Sequence, residues 1–536
     1  MSEESAGSVP QPAARPWLDY LVCLVLALVF LKNYWVSEDA YLNLRSVDQL
    51  LSGHGPIWNP HERVQVFTSP LWFWLEAGSQ LLAGESHRAL LLLSGVCFGF
   101  ALVLLRKLAS SSDAFALAGL LLLGSSACFD YTSSGLENVL GYCLLLAYLR
   151  AYLEPVALRR LCLAAGLLLV CRHDFAALIA PSLVYALFRQ RANVGVRGWV
   201  LLAGLVLAPL AAWSLFSLIY YGSAFPNPAY AKLSSGFPRV VFLQHGFDYL
   251  AVLVRYDLLS ALCIVCGILT LALQRTDAYR WLAASLAMHV AYVAYVGGDY
   301  MQGRFLSYVT LASIAMLSRF ALAAPSAPWL RATVVAALIV YGVAYPRTPW
   351  NTSFAQPKDD RAIHAAGRDY VMDARGAFGV YTGLYSYLQA AELDQYPEHP
   401  LAIAGRQFAR SDKTVAVIHA AGMFGWAAGT SKIVIEAHGI SDVMLAHLPA
   451  SVFAGVGHYL RYRPEGYVDG MMRGKVELAD PDLRTYYSKV ALITQGPRLF
   501  AWERLRTIVS FNAGSYDALL EHFVNDKIRG REILEK

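Results

Sequence analysis

The run "WLDYLVCLVLALVFLKNYW" (residues 17–35) passes directly into "VSEDAYLNLR" (36–45), so Glu38 and Asp39 stand side by side where an apolar segment ends. The run is about as long as the roughly 20 apolar residues that cross a bilayer. The stretch ahead of it is rich in Pro, Ala and Ser with one arginine, and lacks the basic start and small-residue cleavage site of a signal peptide. The reading is a retained first membrane helix, with two carboxylates among the first groups beyond it.

Composition extends this reading to most of the chain. Its 536 residues are 57% hydrophobic and 15% charged, which is too apolar for a soluble multidomain protein. Apolar segments near 17–36, 88–105, 113–129, 137–153, 160–172, 174–188, 198–220, 256–273, 280–297, 304–323 and 329–345 predict a polytopic α-helical membrane protein with about eleven spans. "SPLWFWLEAGSQLLAG" (69–84) is apolar but short and carries Glu76. It is expected to lie in the membrane interface, with Trp72 and Trp74 at headgroup depth.

With that assignment and the N-terminus inside, Arg106 and Lys107, Arg150, Arg159 and Arg160, Arg189, Arg275 and Arg319 all fall on the inner face, as the positive-inside rule requires. The chemically rich loops fall on the other face: "SEDAY", "VFTSPLW", "DYTSSGLEN", "CRHDF", "YYGSAFPNPAYAKLSSGFP" and "GGDYMQGRF". A transporter buries its polar groups near the bilayer midplane, whereas these gather at one water interface. The pattern describes an active site on the outer surface of a membrane scaffold.

After Pro346 the composition becomes that of a soluble domain. "KTVAVIHA" (413–420), "SKIVIEA" (431–437) and "KVALITQ" (489–495) read as short buried strands, and "YDALLEHFVNDKIRGREIL" (516–534) as an amphipathic helix. The expected division is a membrane catalytic domain over 1–345 and an extracytoplasmic α/β domain over 346–536.

Several function classes drop out. The net charge of +5 and the absence of a basic run argue against nucleic acid as a partner. All eight cysteines precede residue 267, in or beside apolar segments, so no disulfide framework is expected, and Cys263 and Cys266 read as helix packing. "IHAAGMFGWAAG" (418–429) has the spacing of neither the Walker nor the dinucleotide motif.

Glu38 and Asp39 are the first candidates for chemistry. The following "LNLRSVDQLLSGHG" (42–55) is suited to an interfacial helix holding the pair against the membrane, and acidic residues recur in the outer loops at Asp130, Glu137, Asp174, Asp248 and Asp299. A carboxylate placed there can act as general base toward a hydroxyl acceptor or help to hold a metal. Arg172, His173, Lys232 and Arg304 share that face. They either neutralise Asp174 and Asp299 or clamp a phosphate, for which the planar fork of arginine is well shaped. In "GSAFPNPAYAK" (222–232) two prolines are expected to rule out a helix, and Phe225 and Tyr230 to stack on a sugar or anchor in the interface.

The acidic pair after the first helix, the "TSPLWFWL" helix, the outer "SSGLEN" and the extracytoplasmic tail together resemble the C-type (GT-C) glycosyltransferase superfamily. "SEDAY", "CRHDF", "FPNPAYAK", "GGDYMQGRF" and the tail motif "HGISD…LAHLP" are similar to its arabinofuranosyltransferase branch. The resemblance implies a membrane enzyme that moves D-arabinofuranose from decaprenyl- or undecaprenyl-phosphoryl arabinofuranose onto a hydroxyl acceptor, a pilin Ser/Thr or an arabinan chain. It implies a multi-pass protein of the bacterial inner membrane with its active site periplasmic, and no cofactor beyond, at most, a divalent cation. Asp39 becomes the catalytic carboxylate with Glu38 as its neighbour. Arg172, His173, Lys232 and Arg304, together with Asp299, Tyr230, Asn227 and Glu137, become donor-binding residues. "GISD" (439–442) stands where mycobacterial members carry a "GLTD"-type motif, and the tail is shorter, which favours the pilin-modifying kind of acceptor. The rival readings are a transferase for another lipid-linked sugar, such as mannose or aminoarabinose, and a non-catalytic lipid transporter or assembly factor. The transporter reading needs charged groups inside the spans, where His289 is the clearest polar residue and a satisfied core group is its ordinary role.

Overall fold

A computed structural model of the chain describes residues 15–154, 157–320, 328–351, 364–365 and 369–534; the polar start of the chain lies outside them. Among the described residues three helices are long and apolar enough to cross a membrane: Pro16–Asn33, Ser86–Leu108 and Val196–Tyr220. Each has a local cause. Pro16 opens the first, where its missing N–H is no loss. Glu85 caps the second by accepting from the backbone N–H groups of His87 and Arg88 at 2.8 and 2.7 Å, and Arg106 and Lys107 sit in its last turn, where the helix dipole favours positive charge. Only 11% of the apolar window of Val196–Tyr220 is buried by protein, so its sides face lipid. The protein is a multi-pass membrane protein.

The count of about eleven spans does not carry over directly. Ser112–Gly124 with 126–132, and Arg239–Tyr256 with Leu258–Ala272, pass as spans only when each bent pair is taken together, with bends of 88° and 109°. Most of the other expected spans are helices of 13 to 17 residues, below the roughly 20 that cross a bilayer upright. Of these, Ser307–Arg319 lies at the centre of the bundle, whereas Pro328–Ala344 is mostly exposed. Ser307–Arg319 is buried along its whole length except at Arg319. It packs on Leu258–Ala272 where Gly267 faces Ser313, and a Cβ on that glycine would come within 2.4 Å of the serine Cβ. Close approach of small residues of this kind is what packs helices in lipid.

Three expectations are corrected. Ala40–Leu51 is not an interfacial helix: Tyr41, Leu44, Arg45 and Val47 are all buried. It is held against the tail, with Arg45 donating to the carbonyls of Trp58, Gly425 and Lys432, and the Trp58 indole donating to the Val434 carbonyl at 2.7 Å. An arginine can be buried here because carbonyls at three chain positions take up its fork. Pro70–Ala83 is a helix capped by Ser69, but Trp72 is fully buried and donates to the Gly135 carbonyl at 3.0 Å, while Trp74 is exposed. Trp72 therefore belongs to the protein interior and not to the headgroup layer. Arg239–Tyr256, in a stretch read as loop, is an 18-residue helix that contains Asp248.

Around the prolines, Asn227–Leu233 is a short helix. Pro226 is its N-cap and Pro228 stands in its first turn, positions at which proline removes no helical hydrogen bond.

The tail contains the expected strands Val415–Ile418 and Ile433–Glu436, paired in parallel, and the helix Ala518–Leu534. "KVALITQ" is helical instead, as the end of Pro481–Gln495. Asp480 caps that helix and Pro481 opens it, a start signal placed so far upstream that the apolar run alone looks like a strand. Apolar packing joins residues from both sides of position 346. Leu42, Trp58, Val64 and Val66 share one apolar core with Val415, Val434, Leu445 and Tyr486, and Met372 and Met423 belong to the core of the membrane helices.

Candidate active site

The loop 297–305 brings the first wall. Gly303, with φ of +74°, turns the chain in the left-handed region directly before Arg304, and a Cβ there would lie 2.6 Å from that of Ala127. Asp299 accepts from the Tyr300 backbone N–H at 2.9 Å. The Met372 backbone N–H donates to the Tyr300 carbonyl at 2.6 Å, and the Met372 carbonyl accepts from the Gln302 backbone N–H at 2.9 Å, which ties the loop to the tail.

Arg304 then sits among three carboxylates. One of its nitrogens is 3.3 Å from Asp39 Oδ2 and 3.5 Å from Asp299 Oδ2, and the other is 3.5 Å from Glu137 Oε1. Tyr300 donates its hydroxyl to Asp39 Oδ1 at 2.8 Å. Arg172 is fully committed. It grips Asp174 with two parallel bonds of 2.9 and 2.6 Å and reaches Glu137 at 2.5 Å. Burial opposes ionisation of Glu137, but Arg172 and Arg304 hold its pKa below the usual range. For Arg172, ion pairing is the role that the geometry realises.

Glu38 differs from its neighbour. It is buried and accepts from the Met423 backbone N–H at 3.2 Å, whereas the Asp39 side chain keeps 29% of its surface open. Burial, with the charge of Asp39 beside it, pushes Glu38 up to about 8. Burial therefore favours the neutral acid form of Glu38. Gly422 makes this contact possible, since a Cβ there would fall 2.1 Å from the Glu38 carbonyl oxygen.

Glu38, Asp39, Glu137, Arg172, Lys232, Asp299 and Arg304 line one cavity of about 170 Å³. Lys232 enters from the end of Asn227–Leu233, faces solvent, and has no ion-pair partner among the described residues. Three of the expected residues stay outside. His173 packs edge-on to Phe225 with centroids 5.6 Å apart. Tyr230 stacks on His447 at 5.4 Å. Asn227 donates to the carbonyls of Gly439 and Ile440 at 2.8 and 3.0 Å, pinning the proline loop to the "HGISD" turn. Asp130 and Asp248 are also away from the cavity. His289 hydrogen-bonds the Phe305 carbonyl at 3.0 Å and is a satisfied core group, as expected.

The opposite wall comes from the tail and supplies His438, at the head of the "HGISD" motif, with His419, Glu436 and His458, which were not among the candidates. Glu436 ends its strand and accepts from the backbone N–H groups of His438 and Ile440 at 3.0 and 3.1 Å, while its other oxygen contacts His438 Nδ1. His458 stands edge-on between Tyr300, at 4.5 Å, and His438, at 5.0 Å. Burial, then the nearby His438, lowers its pKa. Among the described residues no group of three or more His, Cys, Asp and Glu side chains is arranged to hold a metal ion.

No family model matches the chain. It is 29% identical over 225 residues to a terminal β-(1→2)-arabinofuranosyltransferase of Mycobacterium tuberculosis, covering 38% of this chain and 35% of that protein. It is 27% identical over 339 residues to a protein of the same name from Corynebacterium glutamicum, covering 51% and 46%. The chain thus spans about a third to a half of the length of the curated relatives it matches. A crystal structure of ArnT from Cupriavidus metallidurans bound to undecaprenyl phosphate overlaps 79% of this chain and 86% of its own, with a TM-score of 0.46 and 14% identity. The resemblance to arabinofuranosyltransferases read from the motifs is thus met by relatives that carry that name.

Proposed function

We propose that the protein is a membrane glycosyltransferase that moves D-arabinofuranose from a polyprenyl phosphate onto a hydroxyl acceptor at the outer face of a bacterial inner membrane. The observation that carries this reading is Asp39: a carboxylate open to a polar cavity at the end of the membrane helices, fixed by Tyr300 and Arg304. The sugar of such a donor leaves through a transition state with positive charge on its anomeric carbon and negative charge on the departing phosphate. Asp39 faces the first. Lys232, the cation with no partner among the described residues, and Arg304 face the second. The names of the two relatives supply the sugar.

Four helices support the orientation. Asn138–Leu153 begins beside Glu137 and has Arg150 in its last turn; Leu158–Cys171 begins with Arg159 and Arg160 and ends beside Arg172. Phe175–Arg189 begins beside Asp174 and ends at Arg189, and Ser307–Arg319 follows the Arg304 turn and ends at Arg319. Each puts a residue of the site or its ion pairs at one end and arginine at the other, which supports a basic inner face with the site outside. The acceptor is a pilin hydroxyl or an arabinan chain, and a divalent cation, if one takes part, arrives with the donor phosphate.

The test is to incubate purified protein with synthetic polyprenyl-phosphoryl arabinofuranose and a panel of peptide and arabinan acceptors. Transfer by the wild type, and its loss in Asp39→Asn with donor binding kept, is the expected result. Transfer of mannose or aminoarabinose in place of arabinofuranose would reassign the donor, and full activity in Asp39→Asn would remove Asp39 from the mechanism.

A further inference from the structure

The proposed transfer must take a proton from the acceptor hydroxyl, and we infer that His438, oriented by Glu436, is the group that takes it. This rests on the transferase reading and assigns a role within the same cavity.

Both oxygens of Asp39 already accept hydrogen bonds, one from Tyr300 and one from the Arg304 guanidinium. A carboxylate so held can face a cationic sugar, while both of the oxygens that would take a proton are already engaged. Across the cavity, Glu436 contacts Nδ1 of His438 and is itself fixed by two backbone N–H groups. The carboxylate makes Nδ1 the donor and leaves the lone pair on Nε2. That nitrogen has no hydrogen-bond partner among the described residues, and the side chain lines the cavity.

The neighbours of His438 leave it as the choice. His458 is wedged between Tyr300 and His438 and bonds its own turn at the Val456 carbonyl. His419, 6.0 Å from His438 by ring centroid, has no carboxylate behind it among the described residues. Arg461 approaches from behind, donating to the His438 carbonyl at 3.1 Å.

In the step, the acceptor oxygen forms its bond to the anomeric carbon with a lone pair, and its proton passes to His438 Nε2. The bond from the anomeric carbon to the phosphate oxygen breaks, and its electron pair leaves with the phosphate. Glu436 stabilises the imidazolium until the proton returns to water or to the released phosphate.

The experiment compares wild type, His438→Gln, Glu436→Gln and Asp39→Asn with a series of acceptor alcohols of falling hydroxyl pKa, measuring transfer, donor affinity and the pH profile of kcat/KM. General-base catalysis is worth about 10²–10⁴-fold. His438→Gln is expected to lose that much with an ordinary sugar hydroxyl and progressively less as the acceptor becomes more acidic, with donor affinity unchanged and the acidic limb of the pH profile gone. Glu436→Gln is expected to follow the same trend with a smaller loss, and it carries the test should His438→Gln fail to fold. Equal loss with every acceptor, or rescue of Asp39→Asn by acidic acceptors, would overturn the assignment to His438 while leaving the transferase reading intact. Wild-type protein that transfers to no acceptor would overturn both.

Discussion

Tyr300 and Asp39, 261 positions apart in the chain, are joined by a 2.8 Å hydrogen bond from the phenol to the carboxylate. That bond fixes the side chain on which the proposed reaction turns. A hydrogen bond to a charged group is worth about 1.5–3 kcal/mol, so Tyr300→Phe is expected to lower kcat about 10- to 100-fold. Donor affinity should change little, because the phenol touches the carboxylate and not the cations. Steady-state kinetics with donor and acceptor varied separately check this.

Arg304 is shared by Asp39, Asp299 and Glu137. Removing one partner of a buried ion network costs about 3–5 kcal/mol, so Arg304→Ala should melt at a lower temperature than wild type in the same detergent. Arg304→Lys keeps the charge but loses the fork. It should fold and bind donor at least tenfold more weakly, which a titration with polyprenyl phosphate reads directly.

Asn227 links the proline loop to the tail. In Asn227→Ala the carbonyls of Gly439 and Ile440 lose their side-chain donor, at about 1–3 kcal/mol for each one left buried and unpaired. The expected outcome is faster limited proteolysis within the tail and a raised acceptor KM, with donor binding near that of wild type.

Glu38 gives stability a pH dependence. Its folded pKa of about 8 lies above the ordinary carboxylate value. Between roughly pH 4.5 and 8 the unfolded chain releases this proton while the folded protein keeps it, so Glu38 costs progressively more stability as pH rises through that window and no more beyond it. Glu38→Gln should therefore gain thermal stability relative to wild type at pH 8 and gain little at pH 4.5. Melting curves at the two pH values decide the point, and an equal shift at both would mean that Glu38 ionises normally.

Part of the site was legible in the sequence because its residues sit in short local motifs. "SEDAY", "CRHDF" and "GGDYMQGRF" each placed charged side chains at helix ends, and Asp39, Arg172 and Arg304 meet where those ends meet. Tyr300 stands inside "GGDYMQGRF", but nothing in that motif distinguishes a tyrosine that donates to a distant carboxylate from an interface anchor. His419, Glu436 and His458 left no local signal. His419 follows one ordinary short strand and Glu436 ends the other, and the helix between them, Ala421–Ala427, packs on Ala40–Leu51 and so brings them to the cavity. Composition changes at residue 346, yet Trp58 and Val66 pack with the tail. Trp72 and Trp74 show how far pattern reading goes within one helix, since two tryptophans two residues apart have opposite surroundings.

The hold of Arg45 on the carbonyls of Gly425 and Lys432 has a consequence for the timing of biosynthesis. Those partners lie 380 and 387 positions downstream. At about 5–20 residues per second, a ribosome delivers them on the order of 20–80 s after Arg45 has left the exit tunnel. Throughout that interval the membrane helices can insert and pack, but the cavity has only its first wall. A nascent or truncated chain therefore displays Asp39 without its facing histidines and has no enclosed place in which to spend a lipid-linked sugar on water. Competence arrives last, with the final third of the polypeptide.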